Sequence, residues 1–162
     1  MIFCANPHAQ FVSYQEEIEE AVLRVLRSNR YVLGPEVEAL EQEFAKYIGC
    51  SHAIGVANGT DALELGLRAL EIQPGDEVIT VSHTAVATVA AIEAAGARPV
   101  LVDVEPLYYT LDPKQLMEVV TTRTRAVIAV HIYGQAADLD MIGAFCKQHN
   151  LILIEDVSQA HG

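Results

Sequence analysis

Leu151-Ile-Leu-Ile-Glu155-Asp156-Val-Ser158-Gln159-Ala-His161-Gly162 is a nearly unbroken apolar run that delivers a carboxylate, then an amide and an imidazole. Continuous apolar runs, as opposed to alternating ones, belong to parallel strands covered on both faces. In open α/β sheets ligands gather beyond the carboxyl ends of such strands, which is where Asp156 falls. The stretch therefore predicts a buried strand over 151–155 with a functional carboxylate at its end, and Gln159 and His161 as weaker candidates beside it.

The same grammar runs upstream. Val- and Ile-rich segments predict further strands over 52–57, 77–81, 99–102 and 126–131. Helical periods predict helices over 13–28, 35–47, 60–70, 84–95, 112–120 and 139–149. Local signals mark several ends: Pro35 suits a first helical position, Gly49 and Gly96 follow apolar stripes, and Asp112-Pro113 opens a short helix. Alternation of this kind predicts the α/β class, a mostly parallel sheet flanked by helices. A length of 162 residues suits a single domain with a real core.

Composition narrows the function classes. No apolar run reaches the roughly 20 residues that cross a bilayer, and the N-terminus lacks the basic start of a secretion signal, so a cytoplasmic protein is expected. A net charge of -12 repels phosphate backbones and anionic membranes, which argues against nucleic acid or membrane as partner. Cys4, Cys50 and Cys146 are too few and too irregularly spaced for a disulfide framework or a zinc motif, and read as reduced thiols. The six histidines show no metal-binding spacing.

Two further strand ends carry polar residues. Gly55-Val-Ala-Asn58-Gly59-Thr60-Asp61 turns directly into a helix, whose free N–H groups, together with the Thr60 hydroxyl, form a natural phosphate site. Asn, Gly and Thr are equally ordinary capping residues, so both readings stand. Val81-Ser82-His83-Thr84-Ala85 offers the same choice between a site and an N-cap. His131 closes the strand before Ile132, where a satisfied structural histidine is the plainer reading.

Taken in order, Tyr31-Val-Leu-Gly34-Pro35-Glu-Val-Glu, the Gly55 to Leu63 turn, Pro74-Gly-Asp-Glu-Val-Ile, Val102-Asp-Val, Val130-His-Ile-Tyr-Gly134 and Glu155-Asp156-Val-Ser-Gln159-Ala-His-Gly resemble the PLP-dependent sugar aminotransferases of the DegT/DnrJ/StrS type. These lie within fold type I, and the chain looks like the N-terminal part of such an enzyme. The resemblance implies pyridoxal 5′-phosphate as cofactor, with Gly59 and Thr60 at its phosphate, Asp156 at its pyridine nitrogen, Gln159 beside its ring hydroxyl and Ala85 at its ring face. It also implies a nucleotide-linked keto-sugar as substrate, glutamate as amino donor, and a homo-oligomer.

Two departures stand out. Family members commonly place an aromatic residue at the position of Ala85, so ring packing is expected to be looser or to come from His83. The family's Schiff-base lysine lies beyond the aspartate motif, whereas Lys46, Lys114 and Lys147 all sit on solvated helical patterns. No catalytic lysine is therefore assigned. The chain alone is expected to be inactive, with weak or absent cofactor binding, and a family dehydratase that carries histidine in place of the lysine is an alternative parent. A non-catalytic binding or dimerisation module is the alternative from another class. An unrelated nucleotide-binding α/β domain is a third, without a glycine fingerprint to support it. In fold type I two later strands lie between the first strand and the fourth, so the first is expected to shift into that gap, or two copies to pair along the open edge.

Overall fold

The structure, a computed structural model, describes residues 5–161, so Cys4 and Gly162 lie outside the described residues. The chain divides into two compact units, one through Gly55 and one from Val56 onward.

The first unit holds three helices, α1 (Pro7–Ser13), α2 (Gln15–Ser28) and α3 (Pro35–Ile48). α1 was not expected from the periodicity, because seven residues are too few to show a period. Its start follows from local chemistry: Asn6 accepts the Ala9 N–H at 3.1 Å and Pro7 fills the first turn. α3 likewise begins on a proline and ends at Gly49, whose φ of 79° is the left-handed C-cap glycine tolerates best.

The expected strand over 52–57 does not form. A strand exists only where a second strand completes its hydrogen bonds, and this segment has none. Its backbone is served by a side chain instead, the Gly55 N–H donating to Glu41 Oε1 at 2.7 Å, and Ile54 is 80% exposed. The expected shift of this segment into the sheet is thus not what the chain does.

The second unit is the α/β body. Its elements are α4 (Gly59–Ala69), β1 (Glu77–Val81), α5 (Val86–Ala94), β2 (Arg98–Val102), α6 (Leu116–Val119), β3 (Thr124–Val130), α7 (Leu139–His149) and β4 (Ile152–Asp156). The four strands pair in parallel in the order β2-β1-β3-β4. Pro99 is tolerated because β2 is an edge strand. The helix expected over 112–120 tightens at its start into a 3₁₀ turn, Pro113–Gln115, before α6.

The core lies on the two central strands. Val78, Ile79, Val127 and Ile128 are fully buried, as are Leu67 of α4, Ile92 of α5 and Ile142 of α7. Thr80 ties β1 to β3 by donating its hydroxyl to the Ile128 carbonyl at 3.1 Å. At the amino end of β1, buried Glu77 accepts from Thr121 Oγ1 and from Arg123 Nη2 at 2.7 Å. Those hydrogen bonds, the Thr121 one foremost, hold its carboxyl below the usual value of 4.5. The carboxyl end of the sheet is thereby left for other chemistry.

Candidate functional site

The parallel sheet brings the ends of β1, β3 and β4 to one edge, and the start of α4 reaches the same place. They enclose a cleft of about 170 Å³ lined by Gly59, Thr60, Leu63, Thr84, Ala85, Ala87, Val130, His131, Ile132, Asp156, Ser158 and Gln159. The five residues that the family resemblance assigns to the cofactor, Gly59, Thr60, Ala85, Asp156 and Gln159, are all among them.

The α4 end of the cleft is built by its cap. Asn58 is extended, accepts the Asp61 N–H on its side chain at 2.9 Å and the Ala62 N–H on its carbonyl at 3.0 Å. The two N–H groups before these, on Gly59 and Thr60, have no carbonyl within the helix to bond and carry the positive end of its dipole. A Cβ at residue 59 would lie 3.4 Å from Ser158 Oγ, in ordinary van der Waals contact, so the start of α4 and Ser158 are close neighbours.

At the far end Asp156 is held in a fixed pose. Its Oδ1 accepts the Ser158 N–H at 3.1 Å and the Ser158 hydroxyl at 2.6 Å, so Oδ2 is the oxygen not committed to Ser158. β3 and β4 are latched together at this point. The His131 N–H donates to the Asp156 carbonyl at 3.1 Å. The buried His131 ring accepts the Ala137 N–H on Nδ1 at 2.9 Å, which places its proton on Nε2, 3.1 Å from Glu155 Oε2. His131 is thus structurally satisfied, as its sequence position suggested, while also forming part of the wall.

Other candidates go elsewhere. His161 turns its Nδ1 to the Val157 carbonyl at 3.1 Å and does not line the cleft. His83 packs its ring against Tyr133, with centroids 5.9 Å apart, and is likewise not a wall residue. Neither Ser82 nor Thr84 caps α5; Ala85 stands at that N-cap without a side-chain bond, and the Thr84 hydroxyl pairs with that of Thr88 at 2.9 Å. Sequence reasoning missed Ser158 as the residue that orients Asp156, although Asp-x-Ser is a recognisable Asx-turn pattern. Among the described residues no group of three or more His, Cys, Asp or Glu could hold a metal ion, and no helix is long and apolar enough to cross a membrane.

Residues 12–162 match the DegT/DnrJ/EryC1/StrS aminotransferase family. The chain belongs to this family. Over 149 residues it is 50% identical to the dTDP-3-amino-3,6-dideoxy-alpha-D-galactopyranose transaminase of Aneurinibacillus thermoaerophilus, covering 92% of this chain and 41% of that protein. Among solved structures, Streptomyces venezuelae DesV, determined in complex with a ketimine intermediate, superposes with a TM-score of 0.95 at 46% identity, over 97% of this chain and 42% of that one. A Bacillus subtilis relative with bound PMP cofactor gives 0.90 at 33% identity, over 93% and 34%. The chain therefore has the fold type I architecture and spans about two fifths of the length of the relatives it matches.

Proposed function

We propose that this chain is the N-terminal part of a PLP-dependent aminotransferase that acts in the cytoplasm on a nucleotide-linked keto-sugar, with glutamate as amino donor, in amino-sugar synthesis. The observation that carries the reading is the pairing, in one cleft, of a helix N-terminus at Gly59 and Thr60 with an Asp156 carboxylate whose second oxygen is not taken up by Ser158. The residues fit a phosphorylated pyridine. The Gly59 and Thr60 N–H groups and the Thr60 hydroxyl suit a phosphate dianion, and Asp156 Oδ2 suits a protonated ring nitrogen. When bound, such a cofactor supplies an electron sink for carbanion chemistry.

The chain's own residues would bind and orient. Ser158 holds Asp156 by Oδ1, so that Oδ2 would be placed to keep a proton on the ring nitrogen of a bound cofactor, and Ala85 leaves the wall at the end of β1 small. None of Lys46, Lys114 and Lys147 lines the cleft, so none of these three amines can serve there as nucleophile. Transamination by the 162-residue chain alone is therefore expected to fail. A homo-oligomer is part of this reading, as the family implies.

Equilibrium dialysis against pyridoxine 5′-phosphate tests the cofactor reading. Weak but saturable binding is expected, reduced roughly tenfold by Asp156→Ala through loss of a charge-assisted hydrogen bond. Absence of binding, or binding indifferent to Asp156, would overturn it. Turnover of a nucleotide-linked keto-sugar with glutamate by this polypeptide would refute its inactivity. Sugar binding without cofactor binding would favour a non-catalytic module.

A further inference from the structure

The loop after β3 folds over Gln159, and the chemistry of that contact fixes which way the amide faces. Ile132 to Gln135 form a β-turn closed by the Gln135 N–H donating to the Ile132 carbonyl at 2.9 Å. Tyr133 and Gly134 have φ of 57° and 81°, the signature of a type I′ turn. The Tyr133 N–H takes no part in the closing bond and donates to Gln159 Oε1 at 2.6 Å.

A backbone N–H can only donate, so the amide oxygen must face Tyr133 and the NH₂ group must be the other end. The reversed amide would set two donors against each other, at the cost of an unmade hydrogen bond. A glutamine can ordinarily offer either a donor or an acceptor. Here the turn draws the acceptor oxygen to Tyr133, and the NH₂ donors are the end of this cleft residue that the turn does not engage. Asp156 is constrained in the opposite sense, with only an acceptor oxygen to offer. Gly134 suits the turn because its φ of 81° is left-handed, a conformation that side chains with a Cβ strain to adopt.

We propose that the Tyr133–Gly134 turn is a positioning element that locks the polarity of the Gln159 amide, so that the cleft selects a ring bearing an oxygen acceptor over one lacking it. The inference rests on the cofactor reading above and deepens it, because selectivity for the ring oxygen is assigned to the backbone of the β3 loop and not to Gln159 alone.

The test uses the full 162-residue chain and two probes, pyridoxine 5′-phosphate and its 3-deoxy analogue. Neither has an aldehyde, so neither can condense with Lys46, Lys114 or Lys147. Wild type is expected to prefer the 3-hydroxy probe roughly tenfold in equilibrium dialysis, the worth of one hydrogen bond to a charged or polar acceptor. Gly134→Ala, which strains the turn, is expected to bring that ratio close to one while the 3-deoxy probe binds as before. Gln159→Glu still offers an oxygen to Tyr133 but presents a second acceptor to the cleft, and is expected to abolish or reverse the preference. Thermal melting reports folding separately, and Gln159→Glu carries the test if Gly134→Ala unfolds. Equal wild-type binding of both probes, with Asp156→Ala still weakening both, overturns this inference and leaves the cofactor reading standing. A tenfold preference retained by a folded Gly134→Ala also overturns it, and binding of neither probe overturns both.

Discussion

The unit through Gly55 and the unit from Val56 contain helices of similar sequence character that meet different fates. α2 carries Ile18, Val22 and Leu26 at helical spacing, yet none of its residues is buried, and in α3 the one buried residue is Ala45. α7, somewhat more apolar but likewise amphipathic, buries Ile142, Phe145 and Cys146, and α4 buries Leu63 and Leu67. An apolar stripe makes a helix amphipathic but does not supply the surface that covers it. The four-stranded sheet supplies that surface in the second unit.

The largest expected effect tests this contrast directly. Ile128→Ala removes a fully buried side chain from the central strand β3 and should cost about 2–5 kcal/mol in urea unfolding. Ile18→Ala, on a side chain 38% exposed, should cost less than about 0.5 kcal/mol. Equal costs would show that α2 is packed as firmly as the sheet, and the comparison would break.

The cysteines extend the comparison. Cys146 on α7 is buried, and burial pushes its thiol up from 9.0 to about 11. Two units correspond to roughly a hundredfold less thiolate than an ordinary thiol provides. Cys50 is exposed, its Sγ 3.2 Å from the His52 carbonyl. Iodoacetamide labelling at pH 8, mapped by mass spectrometry, should modify Cys50 in the native protein and Cys146 only after denaturation. Comparable labelling rates would mean that α7 opens readily.

The smallest effect sharpens the contrast between carboxylates. Glu77 and Glu36 both sit below the usual carboxyl value, Glu77 through Thr121 and then Arg123, Glu36 through Arg24. A depressed folded value means that the contribution is present above pH 4.5 and is lost as pH falls through the folded value. For buried Glu77, Glu77→Gln should cost about 1–3 kcal/mol at pH 7, with the gap narrowing below pH 4.5. Glu36→Gln should show a much smaller gap, because its partnership with Arg24 is solvent-screened. A Glu77 gap independent of pH would remove the ion pair as its cause.

Much of this was legible in the residues. The span 77–81 forms β1 and 139–149 forms α7 as the pattern required, because in each the apolar period and the end signals agree. The span 52–57 has the same local character and forms no strand, since a ladder needs a partner that no local pattern specifies. At the cleft the pattern placed Asp156 at a strand end and Gly59-Thr60 at a helix start, both consequences of where apolar runs stop. It could not show Ser158 closing on Asp156, His131 bridging Ala137 and Glu155, or Tyr133 facing Gln159 across 26 residues, because such contacts depend on which strands become neighbours.

The sequence by itself therefore determined the class of fold, the family and the residue types brought to the carboxyl edge, through periodicity, caps and ordered motifs. Tertiary structure alone decided which stripes are buried, which oxygen of Asp156 is spent and which end of Gln159 remains. Burial and hydrogen-bond polarity belong to pairs of groups distant in the chain, and they exist only once the β2-β1-β3-β4 order has set those groups side by side.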